Sequence, residues 1–99
     1  MIILKSREML MNLTFNDIMN VHKRIKDHVR WTETTFTSSI SDKLGINTFL
    51  KLENRQHTGA FKIRGSYSKL LSLSDAEKKA GVVAMSAGNH AQVWAYISN

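Results

Sequence analysis

Ninety-nine residues with 42% hydrophobic content and no cysteine fit one small domain and exclude a disordered chain, a disulfide framework and thiolate metal sites. The net charge of +6 admits an anionic partner, but no apolar run is long enough for a membrane span or a secretory leader. A soluble, cytoplasmic protein with no membrane association is the expectation.

The first regular segment begins near Asn16. "NDIMNVHKRIKDHV" carries Ile18, Val21, Ile25 and Val29 at helical spacing, with Asn16 or Asp17 as the N-cap. Within it, "HKRIKDHVR" (residues 22–30) is the densest positive run. A solvated helix face is the preferred reading, because no aromatic-interleaved basic pattern accompanies it. A small basic nucleic-acid-binding module is the alternative that the charge alone suggests. "TTFTSSISDKLG" then predicts a short helix closed by Gly45, and "INTFLKLE" a strand with Leu50 and Leu52 on one face and Lys51 on the other.

A helix follows from about Phe61 to Leu71, with Thr58 placed to cap it. Ser74 and Glu77 form a capping box for a shorter helix that Gly81 ends. "VVAMS" is a short, nearly continuous apolar run, the pattern of a strand buried on both faces. The "SAGNH" turn leads into a last helix, "HAQVWAYISN". This order of elements is α/β in character. Two strands do not make a stable parallel sheet, so the chain reads as the beginning of a larger domain.

Two stretches are candidates for chemistry. On the helix from Phe61, residues Ile63, Tyr67, Leu70 and Leu71 form the apolar stripe, and Lys62 falls outside it with Phe61 and Gly65. Periodicity alone reads Lys62 as a solvated lysine, though one at a helix start, where the dipole favours anions instead. In "SAGNH" (residues 86–90), small residues at a strand–helix junction leave backbone N–H groups open to a carboxylate or phosphate. An ordinary turn with Asn89 as helix cap accounts for the same residues. His90 has no second histidine at ligand spacing, so no metal is expected.

Taken together, "FLKLENRQHTGAFKIRGSYSKL" and "GVVAMSAGNHAQ", with "SLSDAEKKAG" between them, resemble the fold-type II pyridoxal-phosphate enzymes, in their threonine/serine dehydratase (threonine ammonia-lyase) branch. The likeness is strongest over residues 49–92. It implies the N-terminal part of one PLP-dependent domain over residues 1–99, with helices around a few parallel strands. It also implies that Lys62 forms the Schiff base with pyridoxal 5'-phosphate and that Phe61 lies beside the cofactor. Asn89 would contact the ring hydroxyl, and Ser86, Ala87, Gly88, Asn89 and His90 would hold the substrate carboxylate. The implied reaction is dehydration and deamination of L-threonine or L-serine to a 2-oxo acid and ammonia.

In the same resemblance, Ile63 and Arg64 after the lysine match dehydratases, whereas cysteine- and threonine-forming relatives have aspartate and arginine there. Ala87 stands where serine racemases of the family carry a proton-donating serine. Val93 and Trp94 stand where the family normally has glycine. The glycine-rich phosphate loop of the family has no counterpart in these residues. The expected partner is a small amino acid, with no nucleic acid or membrane, and homo-oligomers are expected of full-length relatives. The 99-residue chain by itself is expected to have little or no activity, and a non-catalytic fragment is the rival reading.

Overall fold

Thr14, not Asn16 or Asp17, caps the first helix in the computed structural model, which describes residues 12–98. The Asp17 amide donates to Thr14 Oγ1 at 3.2 Å, and the Thr14 amide donates to Asp17 Oδ2 at 2.8 Å. Asp17 therefore sits at the third helical position of a reciprocal box, which ties up two otherwise orphan donors. Helix α1 (Phe15–Ile25) ends earlier than the hydrophobic spacing suggests, as the His28 amide turns back to the Ile25 carbonyl at 2.9 Å. Ile25 and Val29 are nonetheless both buried. Lys23, Arg24 and Lys26 are exposed, the solvated face expected of the basic run.

Part of the next segment is extended. Strand β1 (Thr34–Phe36) pairs antiparallel with β2 (Phe49–Lys51), Thr34 opposite Lys51 and Phe36 opposite Phe49. Helix α2 (Ser38–Leu44) bridges them and stops at Gly45, whose φ of 68° suits a residue without Cβ. Buried Ser41 locks this excursion: its Oγ donates to the Thr37 carbonyl at 2.6 Å and accepts the Thr48 amide at 2.9 Å.

After β2 a 3-10 turn (Glu53–Arg55) leads to buried Gln56, whose amide group grips the Arg30 backbone at both ends, at 2.8 and 3.1 Å. Helix α3 (Lys62–Ser72) begins after Phe61 with no side-chain cap. Thr58 does not cap it. Gly59, at φ 70°, closes a turn onto the Gln56 carbonyl and separates Thr58 from the helix start. Thr58 Oγ1 is instead buried without a hydrogen-bond partner. Helix α4 (Asp75–Ala80) has the expected box of Ser74 and Glu77, with Gly81 after it at φ 87°.

The α/β class holds, with five α-helices and one two-stranded sheet among the described residues. The observed pair is antiparallel and joins β2 to β1, which lies in the segment expected to hold only a short helix. "VVAMS" is not a strand here, and Val83 and Met85 are 100% and 99% exposed. A strand of that composition needs neighbours on both edges and cover on both faces. Among the described residues nothing pairs with it.

Helix α5 (Asn89–Ile97) closes the described chain, and α3 packs between α1 and α5. Ile25, Val29, Ile63 and Val93 are buried where the three helices meet, with Val21, Tyr67, Leu71 and Ile97 around them. Ile63, Tyr67 and Leu71 of the predicted α3 stripe thus form the packed face, and Leu70 is outside this cluster. Use of that face for packing turns the side bearing Lys62 and Gly65 toward the start of α5.

Candidate active site

Where α3 starts beside the segment leading into α5, a cavity of about 750 Å³ opens. One wall is Phe61, Lys62, Gly65 and Ser66; the other is Met85, Ser86, Asn89 and His90. Lys62, Gly65 and Ser66 share a wall because positions i, i+3 and i+4 lie on one helix face. Nothing lies within 4 Å of where a Cβ on Gly65 would stand. The glycine therefore leaves open space beside the lysine.

Lys62 is exposed at this cavity, its Nζ 5.2 Å from the centroid of the Phe61 ring. Phe61 is itself 60% exposed, an apolar face turned to solvent. Ser86 is half-buried, and its Oγ accepts the Gly88 amide at 3.2 Å. Asn89 opens α5 and lines the cavity, and helix geometry leaves the amides of Asn89 and His90 without intrahelical partners. Ala87 and Gly88 are exposed in the turn and are not part of the lining. His90 is half-buried. Its Nδ1 lies 3.5 Å from Ser66 Oγ, and its Nε2 accepts the Trp94 indole N–H at 2.9 Å.

The positive charges around the cavity are not equivalent. Arg64 borders it but is committed to Glu53, donating from Nε to Oε2 at 3.0 Å and from Nη2 to Oε1 at 2.7 Å. The Thr32 hydroxyl also donates to Glu53, and the Lys51 ammonium donates to the Thr32 carbonyl. The Arg64 hydrogen bond above all, then the Thr32 hydroxyl and the Arg64 and Lys51 charges, hold the Glu53 carboxyl below its usual range against the upward pull of partial burial. Among the described residues no carboxylate pairs with Lys62. Lys62 is therefore the cavity amine left available to a ligand.

The sequence reading singled out Lys62 and residues 86–90 but not the groups that hold them. Neither Ser66 nor the Arg64–Glu53 pair is among the sequence candidates, and Trp94 figures there only as a residue where the family normally has glycine. A signal existed for two of them. Ser66 stands four residues after Lys62, and Trp94 four after His90, the spacing at which helical side chains meet. The Glu53 partner lies in a different element, and spacing along the chain does not reveal it.

A family model described as pyridoxal-phosphate dependent enzyme matches residues 25–99. The chain is 48% identical over 80 residues to the L-threonine ammonia-lyase of Thermotoga maritima, an alignment covering 81% of this chain and 20% of that protein. It is 46% identical over 80 residues to the catabolic L-threonine dehydratase TdcB of Escherichia coli, covering 81% of this chain and 24% of that one. The structure of maize serine racemase superposes with a TM-score of 0.74 at 37% identity, covering 82% of this chain and 26% of that chain. The chain thus spans about a fifth to a quarter of the length of the relatives it matches. The matched span holds both walls of the cavity, the lysine helix and the 86–90 turn, and the chain belongs to the family of pyridoxal-phosphate dependent enzymes.

Proposed function

We propose that this chain supplies the lysine-bearing part of a pyridoxal-phosphate site for dehydration and deamination of L-threonine or L-serine. The observation that carries this reading is that Lys62 and three residues of the 86–90 turn, Ser86, Asn89 and His90, far apart in sequence, line one cavity. The similarity to threonine ammonia-lyases supports the substrate class.

The residues present suit the ring end of the cofactor. An unpaired primary amine suits its aldehyde, the exposed Phe61 ring suits an aromatic edge, and the Asn89 side-chain amide suits a ring hydroxyl. Lys62 would hold the cofactor and Asn89 would orient it. When bound, the cofactor supplies an electron sink for charge left at the substrate Cα. Lys62 Nζ takes up the Cα proton, a role that needs the neutral amine. The first amides of α5 bind the substrate carboxylate at the positive end of the helix dipole.

The racemase suggested by the maize structure is the second reading. It needs a proton donor on the opposite side of the cofactor. Ala87, at the position implied for that donor, has none, which favours dehydration. On its own the chain is proposed to turn over little substrate, since the cavity walls offer no glycine-rich loop for the phosphate.

The test is to incubate the purified chain with pyridoxal phosphate, reduce with borohydride and map the adduct by mass spectrometry. One dominant adduct on Lys62, lost in Lys62→Ala, is expected. Labelling spread evenly over the lysines would refute a preformed site. Steady release of ammonia and 2-oxo acid from threonine would refute the low-activity reading.

A further inference from the structure

Trp94 hydrogen-bonds His90, its indole N–H donating to Nε2 at 2.9 Å, with the two rings edge to face at 87°. An indole N–H donates only, so Nε2 must present a lone pair. A neutral imidazole with its lone pair on Nε2 carries its proton on Nδ1. The atom facing Nδ1 is Ser66 Oγ at 3.5 Å, on a residue that is 2% exposed and one helical turn from Lys62. Donor and acceptor directions therefore run consistently from α5 through the imidazole to α3.

We propose that Trp94 is a positioning residue that fixes His90 as the Nδ1-protonated tautomer, so that both ring nitrogens are engaged by protein and the imidazole orients the 86–90 turn against α3. The consequence for the cavity is a division of labour. His90 lines it without a free nitrogen to exchange protons, and that task is left to Lys62. Only this last step rests on the proposed function. The tautomer and its cause do not.

The experiment is long-range proton–nitrogen NMR on the full chain with nitrogen-15-labelled histidine and tryptophan, in alkaline buffer where imidazole is neutral. His90 is identified by the resonances lost in His90→Gln. The expected pattern is a protonated-type Nδ1, an unprotonated-type Nε2, and a coupling across the hydrogen bond from Trp94 Nε1. In Trp94→Phe, which keeps an aromatic ring but no N–H, the Nε2 resonance is expected to move toward the protonated type. A wild-type His90 protonated on Nε2, or unchanged shifts in Trp94→Phe, would overturn the proposal. Should Trp94→Phe not fold, the wild-type coupling decides by itself: present, the proposal stands; absent, it falls. A missing cofactor adduct on Lys62 would sink the functional reading and leave the tautomer result untouched.

Discussion

Arg64→Met removes the cation that holds Glu53, and its cost follows from geometry. The pair makes two charge-assisted hydrogen bonds, and its side chains are 30% and 16% exposed. Sheltered bonds of this kind contribute about 1.5–3 kcal/mol, whereas fully exposed ion pairs contribute about 0–1 kcal/mol. Partial solvent screening places this pair between them, at about 1–2 kcal/mol. In urea, with a slope of about 1–1.5 kcal/mol per molar for a chain of this size, the unfolding midpoint should fall by about 1 M.

Arg64→Met should cost more than Glu53→Gln, because it leaves the less exposed, charged partner behind. The pH dependence has a definite sign. The Glu53 carboxyl titrates below its unfolded value of about 4.5 in the folded chain. Its contribution is therefore complete above that pH and is lost as the pH falls through the folded value. Glu53→Gln should flatten this acid limb of the stability curve. A midpoint within about 0.2 M of the parent for Arg64→Met, or an unchanged acid limb in Glu53→Gln, would refute the reasoning.

Ile63→Ala should lower stability by about 2–5 kcal/mol, since Ile63 is 0% exposed at the junction of three helices, and a broadened, low-temperature thermal transition is the expected readout. Gly45→Ala should cost about 1 kcal/mol in a urea titration, because φ of 68° is unfavourable for a residue with Cβ. Val83→Ser should leave the unfolding free energy of this chain, from a urea titration, unchanged within about 0.5 kcal/mol, as Val83 is wholly exposed; a large loss would restore the buried-strand reading. Hydrogen bonds within the caps hold the Asp17 and Glu77 carboxyls below their usual range. Amide protection at the starts of α1 and α4, taken relative to the intrinsic exchange rate at each pH, should therefore fall as acid protonates them, and constant protection across that range would contradict the caps.

Local rules were enough for much of the chain. The Ser74–Glu77 box, the Gly45 stop and the α3 stripe all follow from interactions a few residues apart, and the structure has each of them. The Thr14 box was equally local, but its cap lies two residues before the start that the hydrophobic spacing suggested. The two quoted motifs also identified the family. "VVAMS" was misread for a different reason. Its composition records a preference for burial, but a strand forms only when another chain segment pairs with it.

The site divides in the same way. The sequence by itself determined which side chains are available: one lysine beside a phenylalanine and a glycine, and a small-residue turn before a helix. Tertiary structure decided what they do together. Packing of α3 against α5 brought residues 61–66 and 85–90 around one cavity and set Ser66 and Trp94 on opposite sides of the His90 ring, while the 3-10 turn after β2 committed Arg64 to Glu53. The Arg64–Glu53 and Ser66–His90 pairings depend on distances between elements, which residue spacing cannot encode, and the first separates the available amine from the cation already engaged.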